Sequence, residues 1–284
     1  MQTSVASLFV HSAFYRFVAL PDPEAAAQQL RTLAQEQGLG GSVVLAHEGI
    51  NGTVAGAPAA VLAFEAAIQQ PSVLDGALKG MVFKHSDCAV SPFGRLKFSV
   101  KPEIVALGLP GEGVDFPPPD EQDASHLSPQ AWRELLARGD AVVLDNRNHF
   151  EFRLGHFEGA LDPKVNNFRD FVAYVQEQAP VWREAGRPVA MYCTGGIRCD
   201  KTAPWLRSLG LEVWQLDGGI LNYFQTLGDA ERDWKGECFV FDKRIALDTA
   251  LKPTSTRAEQ VFDVSLADEA WRLERARRLD GSGS

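Results

Sequence analysis

Cysteine is scarce in this chain, with four in 284 residues: Cys88, Cys193, Cys199 and Cys238. So few and so scattered, they exclude a dense disulfide scaffold, and no pair has the C-x-x-C spacing of a zinc site. Long apolar runs are missing as well. No stretch of about 18 apolar residues exists to cross a bilayer, which predicts no membrane span. The opening residues, MQTSVASLFVHSAFYRFVAL, lack a basic start and carry Arg16 where an apolar stretch would run, so no secretory signal is expected. Positive charge is also in deficit: 28 Lys and Arg against 37 Asp and Glu give a net charge of −9. That balance excludes nucleic-acid binding driven by overall charge, but it leaves room for a local basic cleft. Free thiols without a leader predict a cytoplasmic protein.

Hydrophobic residues make up 45% and charged residues 23%, the composition of a globular protein long enough for two domains. The aromatic and β-branched run 7–20 reads as a strand, and Pro21 and Pro23 open a helix that ends at Gly38. Two strands follow, 42–46 and 52–56, with Gly49-Ile50-Asn51-Gly52 supplying the turn between them. A helix over 58–69 and strands near 81–86 and 95–101 complete a β-α-β-β-α-β order. That order predicts a ferredoxin-like (acylphosphatase-like) α+β domain over residues 1–107. Residues 108–124, GLPGEGVDFPPPDEQDA, have linker composition. Over 125–232, helices near 128–138, 167–178 and 199–209 alternate with the apolar runs AVVLD, PVAMY and EVWQL. Gly218-Gly219 opens a last helix. Alternation of this kind predicts an α/β domain with a parallel sheet and helices on both faces. The remainder, 233–284, is a C-terminal extension: a strand-like segment 233–247 packing back on the body, a charged helical stretch 268–280, and a flexible GSGS end.

The chemistry concentrates in MYCTGGIRCDK, residues 191–201. Cys193 falls where the strand PVAMY ends, and the carboxyl end of a strand is where open α/β sheets bind ligands. Gly195 and Gly196 let the loop, with Thr194 and Ile197, turn its backbone N–H groups inward onto an anion. The following helix adds its positive end, and Arg198 adds a guanidinium if it folds over the loop. Each favours thiolate over thiol, so Cys193 is expected to be a nucleophile with Arg198 as its partner. A phosphatase loop of the Cys-x5-Arg kind needs Arg at position 199, where this chain has Cys199. The shorter Cys-x4-Arg loop suits a single outer sulfur better than a phosphoryl group. Cys199 is expected to be a packing residue at the start of the helix, with a resolving thiol as the alternative.

Residues 125–230 resemble a rhodanese domain through LDNRNHFEFRLGHFEGA (144–160), YCTGGIRC and LDGGI (216–220). The likeness extends to both domains. HEGINGTVAG (47–56), SPFGRLKFSVKPEIVALGLP (91–110), CTGGIRCDK and GECFVFDKRIAL (236–247) resemble the oxygen-dependent tRNA uridine hydroxylases, over roughly residues 8–247. This resemblance implies hydroxylation of C5 of the wobble uridine, with the tRNA anticodon arm as partner, molecular oxygen as co-substrate and no other cofactor evident. It implies Cys193 as the essential cysteine, as thiolate or persulfide, and Asp145 and Arg147 as a strand-end pair bracing the loop. Asn146 departs from the Thr or Val usual there, without expected consequence. Relatives often continue into a cysteine-rich, metal-binding tail; no cysteine follows Cys238, so no metal is predicted.

Arg95, Lys97 and Lys101 fall at spacings compatible with one strand face, with Lys79 and Lys84 expected nearby, and are candidate RNA-phosphate contacts. Tyr15, Phe17 and Phe93 are either stacking platforms or core aromatics. His47-Glu48, His149 and His156 are read as structural, with acid/base chemistry the alternative. A thiosulfate-type sulfurtransferase is the rival enzyme, and a non-catalytic anion- or partner-binding module is the rival from another class.

Overall fold

The structure, a computed structural model, describes residues 9–108 and 125–281. All but Gly108 of the linker segment, and most of the terminal GSGS, lie outside those residues. Contacts divide the chain into one unit running to Ile104 and a second from Val105 to Arg277.

The first unit is built from β1 (Phe9–Phe17), α1 (Pro23–Glu36), β2 (Gly40–Ala46), β3 (Gly49–Gly56), α2 (Pro58–Ile68), β4 (Phe83–Cys88) and β5 (Leu96–Val100). Helix α1 begins where composition says it should: Pro23 occupies the first turn, and the Asp22 carboxylate accepts from Ala25 N–H at 2.9 Å. Its Ala26, Ala27, Leu30 and Ala34 form the buried stripe. Against it the strands alternate, with Phe14, Val43, Leu45, Ile50, Val54 and Phe98 turned into one core with Val61 and Phe64 of α2. Sheet order is β4-β1-β3-β2-β5, antiparallel except for β5 beside β2. The first four positions are the ferredoxin-like arrangement, and β5 is an added parallel edge.

Two sequence expectations change here. The turn between β2 and β3 is His47-Glu48, not Gly49 to Gly52, which are strand residues paired with β2. The glycines serve close approach instead. Gly49 has φ +145°, and a Cβ on it would lie 2.1 Å from the Arg16 carbonyl oxygen, while one on Gly52 would meet Val43 Cγ2 at 2.8 Å. Lys84 on β4 and Lys97 on β5 stand at opposite edges of the sheet, so the basic residues do not form one cluster.

The second unit contains β6 (His126–Leu127), α3 (Pro129–Arg138), β7 (Val142–Asp145), α4 (His149–Leu154), β8 (Gly155–Phe157), α5 (Phe171–Glu184), β9 (Val189–Tyr192), α6 (Ile197–Ser208), β10 (Val213–Leu216) and α7 (Gly219–Thr226). Its main sheet, β6-β10-β9-β7, is entirely parallel. Strand β9 lies inside it with all four residues buried. Alternation sends Val189 and Met191 to one face, with Phe171 and Val175 of α5 and Ala203 and Leu206 of α6. It sends Ala190 and Tyr192 to the other, with Trp132 of α3 and Ile220 and Tyr223 of α7. Helices therefore cover both faces, as the unbroken apolar strands predict.

The extension forms β11 (Trp234–Gly236), β12 (Cys238–Phe239), β13 (Ala246–Leu247), α8 (Ala258–Val261) and α9 (Ala267–Gly281). Strand β11 pairs with β8, and Phe239, Phe262 and Leu273 pack on Phe150 of α4. Among the described residues no helix is long and apolar enough to cross a membrane.

Gly49→Ala should lower the unfolding free energy by about 3 kcal/mol, because strain and a backbone clash add. Gly139→Ala, at φ +66° with open space around it, should cost about 1 kcal/mol. Urea unfolding of the two variants checks the contrast, and equal losses would contradict it.

Candidate active site

Cys193 follows the last residue of β9, and α6 starts four residues later at Ile197, two residues before the sequence places it. The turn between them depends on Gly196, whose φ of +101° aims its N–H back at Cys193 Sγ, 3.1 Å away. Backbone N–H groups of Arg198 and Cys199 also donate to this sulfur, as does the Cys199 thiol. Cys193 is 1% exposed, and burial by itself pushes a thiol up. The Cys199 thiol, the Arg198 charge and the backbone donors together outweigh burial, bringing Cys193 from 9.0 down to about 6. The thiolate is thus favoured by about 4 kcal/mol over that of an ordinary cysteine. Cys199 moves the opposite way: burial first, then its bond to Cys193, hold it well above the usual thiol range. It remains a proton donor, which is more than the packing role expected of it.

The Arg198 guanidinium does not hydrogen-bond across the loop. Its two terminal nitrogens grip the Glu151 carboxylate at 3.1 and 3.0 Å, and its guanidinium lies over the Phe168 and Phe241 rings at 5.6 and 5.7 Å. Glu151 is fully buried in the first turn of α4 and also accepts from Asn148 N–H at 3.1 Å. Burial lowers the Arg198 pKa, whereas Glu151 and Cys193 raise it, and the net is upward, so the guanidinium stays charged beside the sulfur. Sequence reasoning left Glu151 unassigned, although it stands in the quoted segment 144–160. The signal was the glutamate three residues after an asparagine helix cap.

Asp145 and Arg147 act one step further back than expected. Both are buried, and Arg147 Nε and a terminal nitrogen bond the Asp145 carboxylate at 2.8 and 2.6 Å. Arg147 also donates to the Gly155 carbonyl at 2.6 Å, and Tyr192 Oη donates to Asp145 at 2.6 Å. They brace Tyr192, the strand residue before Cys193, and the start of β8, not the loop itself. Asn146 is not idle either. Its side-chain N–H donates to Thr202 Oγ1 at 2.8 Å and approaches Sγ of Cys199, the neighbour of the reactive sulfur, at 3.8 Å.

The Gly-Gly turn closes the site. Gly219, at φ +70°, has no room for a side chain, since a Cβ would meet the Cys193 carbonyl oxygen at 2.5 Å. That close approach lets Ile220 N–H and Leu221 N–H bond the Cys193 and Thr194 carbonyls at 3.0 and 3.2 Å. The Thr194 hydroxyl is buried without a protein partner. A cleft of about 280 Å³ lined by Leu127, Leu135, Pro188 and Trp214 lies at the amino ends of β9 and β10, away from this chemistry.

Most of the remaining candidates have partners of their own. His149 binds Asp162 at 2.7 Å, and His156 binds the Phe152 carbonyl at 2.9 Å. In the first unit, His47 binds the Leu20 carbonyl, Glu48 accepts from Ile104 N–H, and Asn51 donates to the Ile104 carbonyl instead of within its own turn. Phe17 is core, Tyr15 carries Lys84 over its ring at 5.6 Å, and Phe93 stacks on His11 at 5.8 Å. Lys97 lies on β5 with Arg95 and Lys101 flanking it, all three exposed.

A low-pKa cysteine at the tip of a buried parallel strand, cradled by backbone N–H groups and an arginine, defines a rhodanese-type loop protein joined to a ferredoxin-like domain. Family models agree with this reading, the UPF0176 acylphosphatase like domain matching residues 9–104 and the rhodanese-like domain 128–226. The chain is 42% identical over 259 residues to the tRNA uridine(34) hydroxylase of Nitrobacter winogradskyi, covering 91% of this chain and 98% of that one. It is 44% identical to the enzyme of that name from Synechococcus elongatus, over 84% and 85% of the two chains. With that of Deinococcus radiodurans it shares 41% identity, over 85% and 76%. The chain belongs to the tRNA uridine(34) hydroxylase family.

Thiolate ultraviolet absorbance should therefore titrate with a midpoint near pH 6, and Cys193→Ser should abolish that transition. Arg198→Met removes a cation and Cys199→Ala a donor. Each should move the midpoint upward by about one to two pH units. An unmoved midpoint in both would show that neither neighbour tunes the sulfur.

Proposed function

We propose that this protein hydroxylates C5 of uridine 34 in tRNA, with Cys193 as the group that activates the base. The carrying observation is the buried thiolate with its charge held by Arg198 and its backbone cradle, in a chain of this family. Membership supplies the substrate, and the site supplies a nucleophile matched to it.

Uracil is an unsaturated carbonyl system whose C6 accepts soft nucleophiles. Addition of the Cys193 thiolate to C6 moves the C5–C6 electron pair onto C5, where it is conjugated with the C4 carbonyl. C5 then takes an oxygen atom from dioxygen. Loss of the C5 proton and departure of Cys193 restore the double bond and leave 5-hydroxyuridine. The second oxygen atom goes to water, with the two electrons and two protons supplied by a thiol reductant that becomes disulfide. A sulfur titrating near 6 is mostly thiolate at neutral pH and is also a competent leaving group, so one pKa serves both steps. The unpartnered Thr194 hydroxyl offers a hydrogen bond to a uracil carbonyl.

The anticodon arm presents uridine 34 in a single-stranded loop, where unstacking costs least. Arg95, Lys97 and Lys101, exposed along the edge strand β5, are suited to its phosphates. The cytoplasm, where tRNA and thiol reductants coexist, is the setting this chemistry requires.

Mass spectrometry of tRNA from a deletion strain tests the assignment. Wild-type protein should restore 5-hydroxyuridine at position 34, and Cys193→Ala should not. Unchanged hydroxylation in the deletion strain would overturn the function. Thiocyanate formation from thiosulfate and cyanide, lost in Cys193→Ala while tRNA is unaffected, would assign the loop to sulfur carriage instead.

A further inference from the structure

Phe241 is 58% exposed, unlike the other aromatic rings around the reactive loop. Its neighbours Phe239 and Phe168 are buried, yet Phe241 stands at the surface with Arg198 over its ring at 5.7 Å. The exposure is not that of a loose loop. Val240 N–H bonds the Ile245 carbonyl at 2.9 Å, and Ile245 N–H bonds the Asp242 carbonyl at 3.1 Å. The Asp242 carboxylate accepts from Arg244 N–H and Nε at 2.9 Å each and from a terminal nitrogen at 2.6 Å. Ile245 is held at φ +63°, a conformation a β-branched residue adopts only under constraint. The Phe239 ring meets Phe241 edge-on at 4.9 Å. The turn from β12 to β13 is thus fastened tightly, and what it presents is one phenyl ring.

Arg198 links this ring to the chemistry. Of its five N–H donors two go to Glu151, and its charge acts on Cys193. A pyrimidine leaving its loop loses its stacking neighbours and needs a replacement surface before a sulfur can approach C6 from above the ring plane. A phenyl ring held beside a guanidinium supplies one without selecting among bases, leaving discrimination to polar groups.

We infer that Phe241 is the stacking platform that receives the target uracil and holds it flat beside Arg198 and the Cys193 loop. This inference rests on the proposed reading of the substrate. It predicts that Phe241 contributes to binding the base itself and not to binding the RNA backbone.

The test uses two hairpin RNAs with the same anticodon loop, one carrying uracil at position 34 and one abasic there, bound to the full-length protein. Wild type should prefer the uracil hairpin. Phe241→Ala should bind it about 5- to 100-fold more weakly, bind the abasic hairpin as wild type does, and raise KM for tRNA more than it lowers kcat. Phe241→Trp should retain the preference. Phe241→Leu, which keeps apolar bulk against Arg198 but has no π face, should lose it while leaving the Cys193 titration near 6 in place. Equal binding of the uracil hairpin by Phe241→Ala and wild type would overturn the inference, as would equal weakening of both hairpins. Either result alongside wild-type hydroxylation of tRNA would sink the platform alone. Failure of wild-type protein to hydroxylate at all would sink the functional reading.

Discussion

A sulfur anion out of contact with water has to be surrounded by donors, and that requirement organises the second unit of this protein. Cys193 meets it with backbone N–H groups from Gly196, Arg198 and Cys199, the Cys199 thiol and the Arg198 charge. Each donor then needs its own support. Arg198, itself largely buried, is tolerable because Glu151 takes two of its N–H groups and two aromatic rings flank it. Glu151 in turn is stabilised by Asn148 N–H at the start of α4. Gly196 must reach a φ that side chains disfavour, and Gly219 must let the next helix close on the Cys193 carbonyl. The thiolate is therefore the consequence of a chain of pairings that ends several residues away from it.

A second layer fixes where that chain begins. The Asp145–Arg147 pair is wholly buried and uses Tyr192 and the Gly155 carbonyl as further partners. Pairs of this kind add little to stability compared with apolar packing, but each member strictly needs the other. Here the pair ties the ends of β7 and β9 to β8, so the residue preceding Cys193 has one allowed position. The extension participates through Trp234, whose ring lies 5.4 Å from the Arg147 guanidinium, and through Phe239, which packs on α4. It belongs to the architecture of the site, although its composition announces no chemistry.

Much of this was legible beforehand, and the divide follows from physics. Period-two and period-3.6 patterns located most strands and helices of both units, though not the short β6, α4 and β8, and the Cys-to-Arg spacing picked out the reactive loop. Patterns of this kind report which residues face a core. They do not report pairing between distant segments, which is why Lys84 and Lys97 looked like neighbours and lie at opposite sheet edges. Gly49 and Gly52 carried the composition of a turn, but their role is to let backbone and Val43 approach, a demand visible only when β1 and β2 are in place. Glu151 was hidden for the same reason. A glutamate near a helix start reads as a capping residue, and only the fold shows that its oxygens also face Arg198.

The positions that create the reactive sulfur are spread from Asp145 to Phe241, nearly a hundred residues of chain. A nascent polypeptide exposes Cys193 well before the Gly218-Gly219 turn and the Phe241 turn have left the ribosome. During that interval the cysteine has neither its closed loop nor its complete arginine cage, and it behaves as an ordinary thiol, protonated at neutral pH and slow toward oxidants and electrophiles. Nucleophilicity arrives only with the finished tertiary structure. Spreading the donors along the sequence thus ties the reactivity of Cys193 to completion of the fold around it.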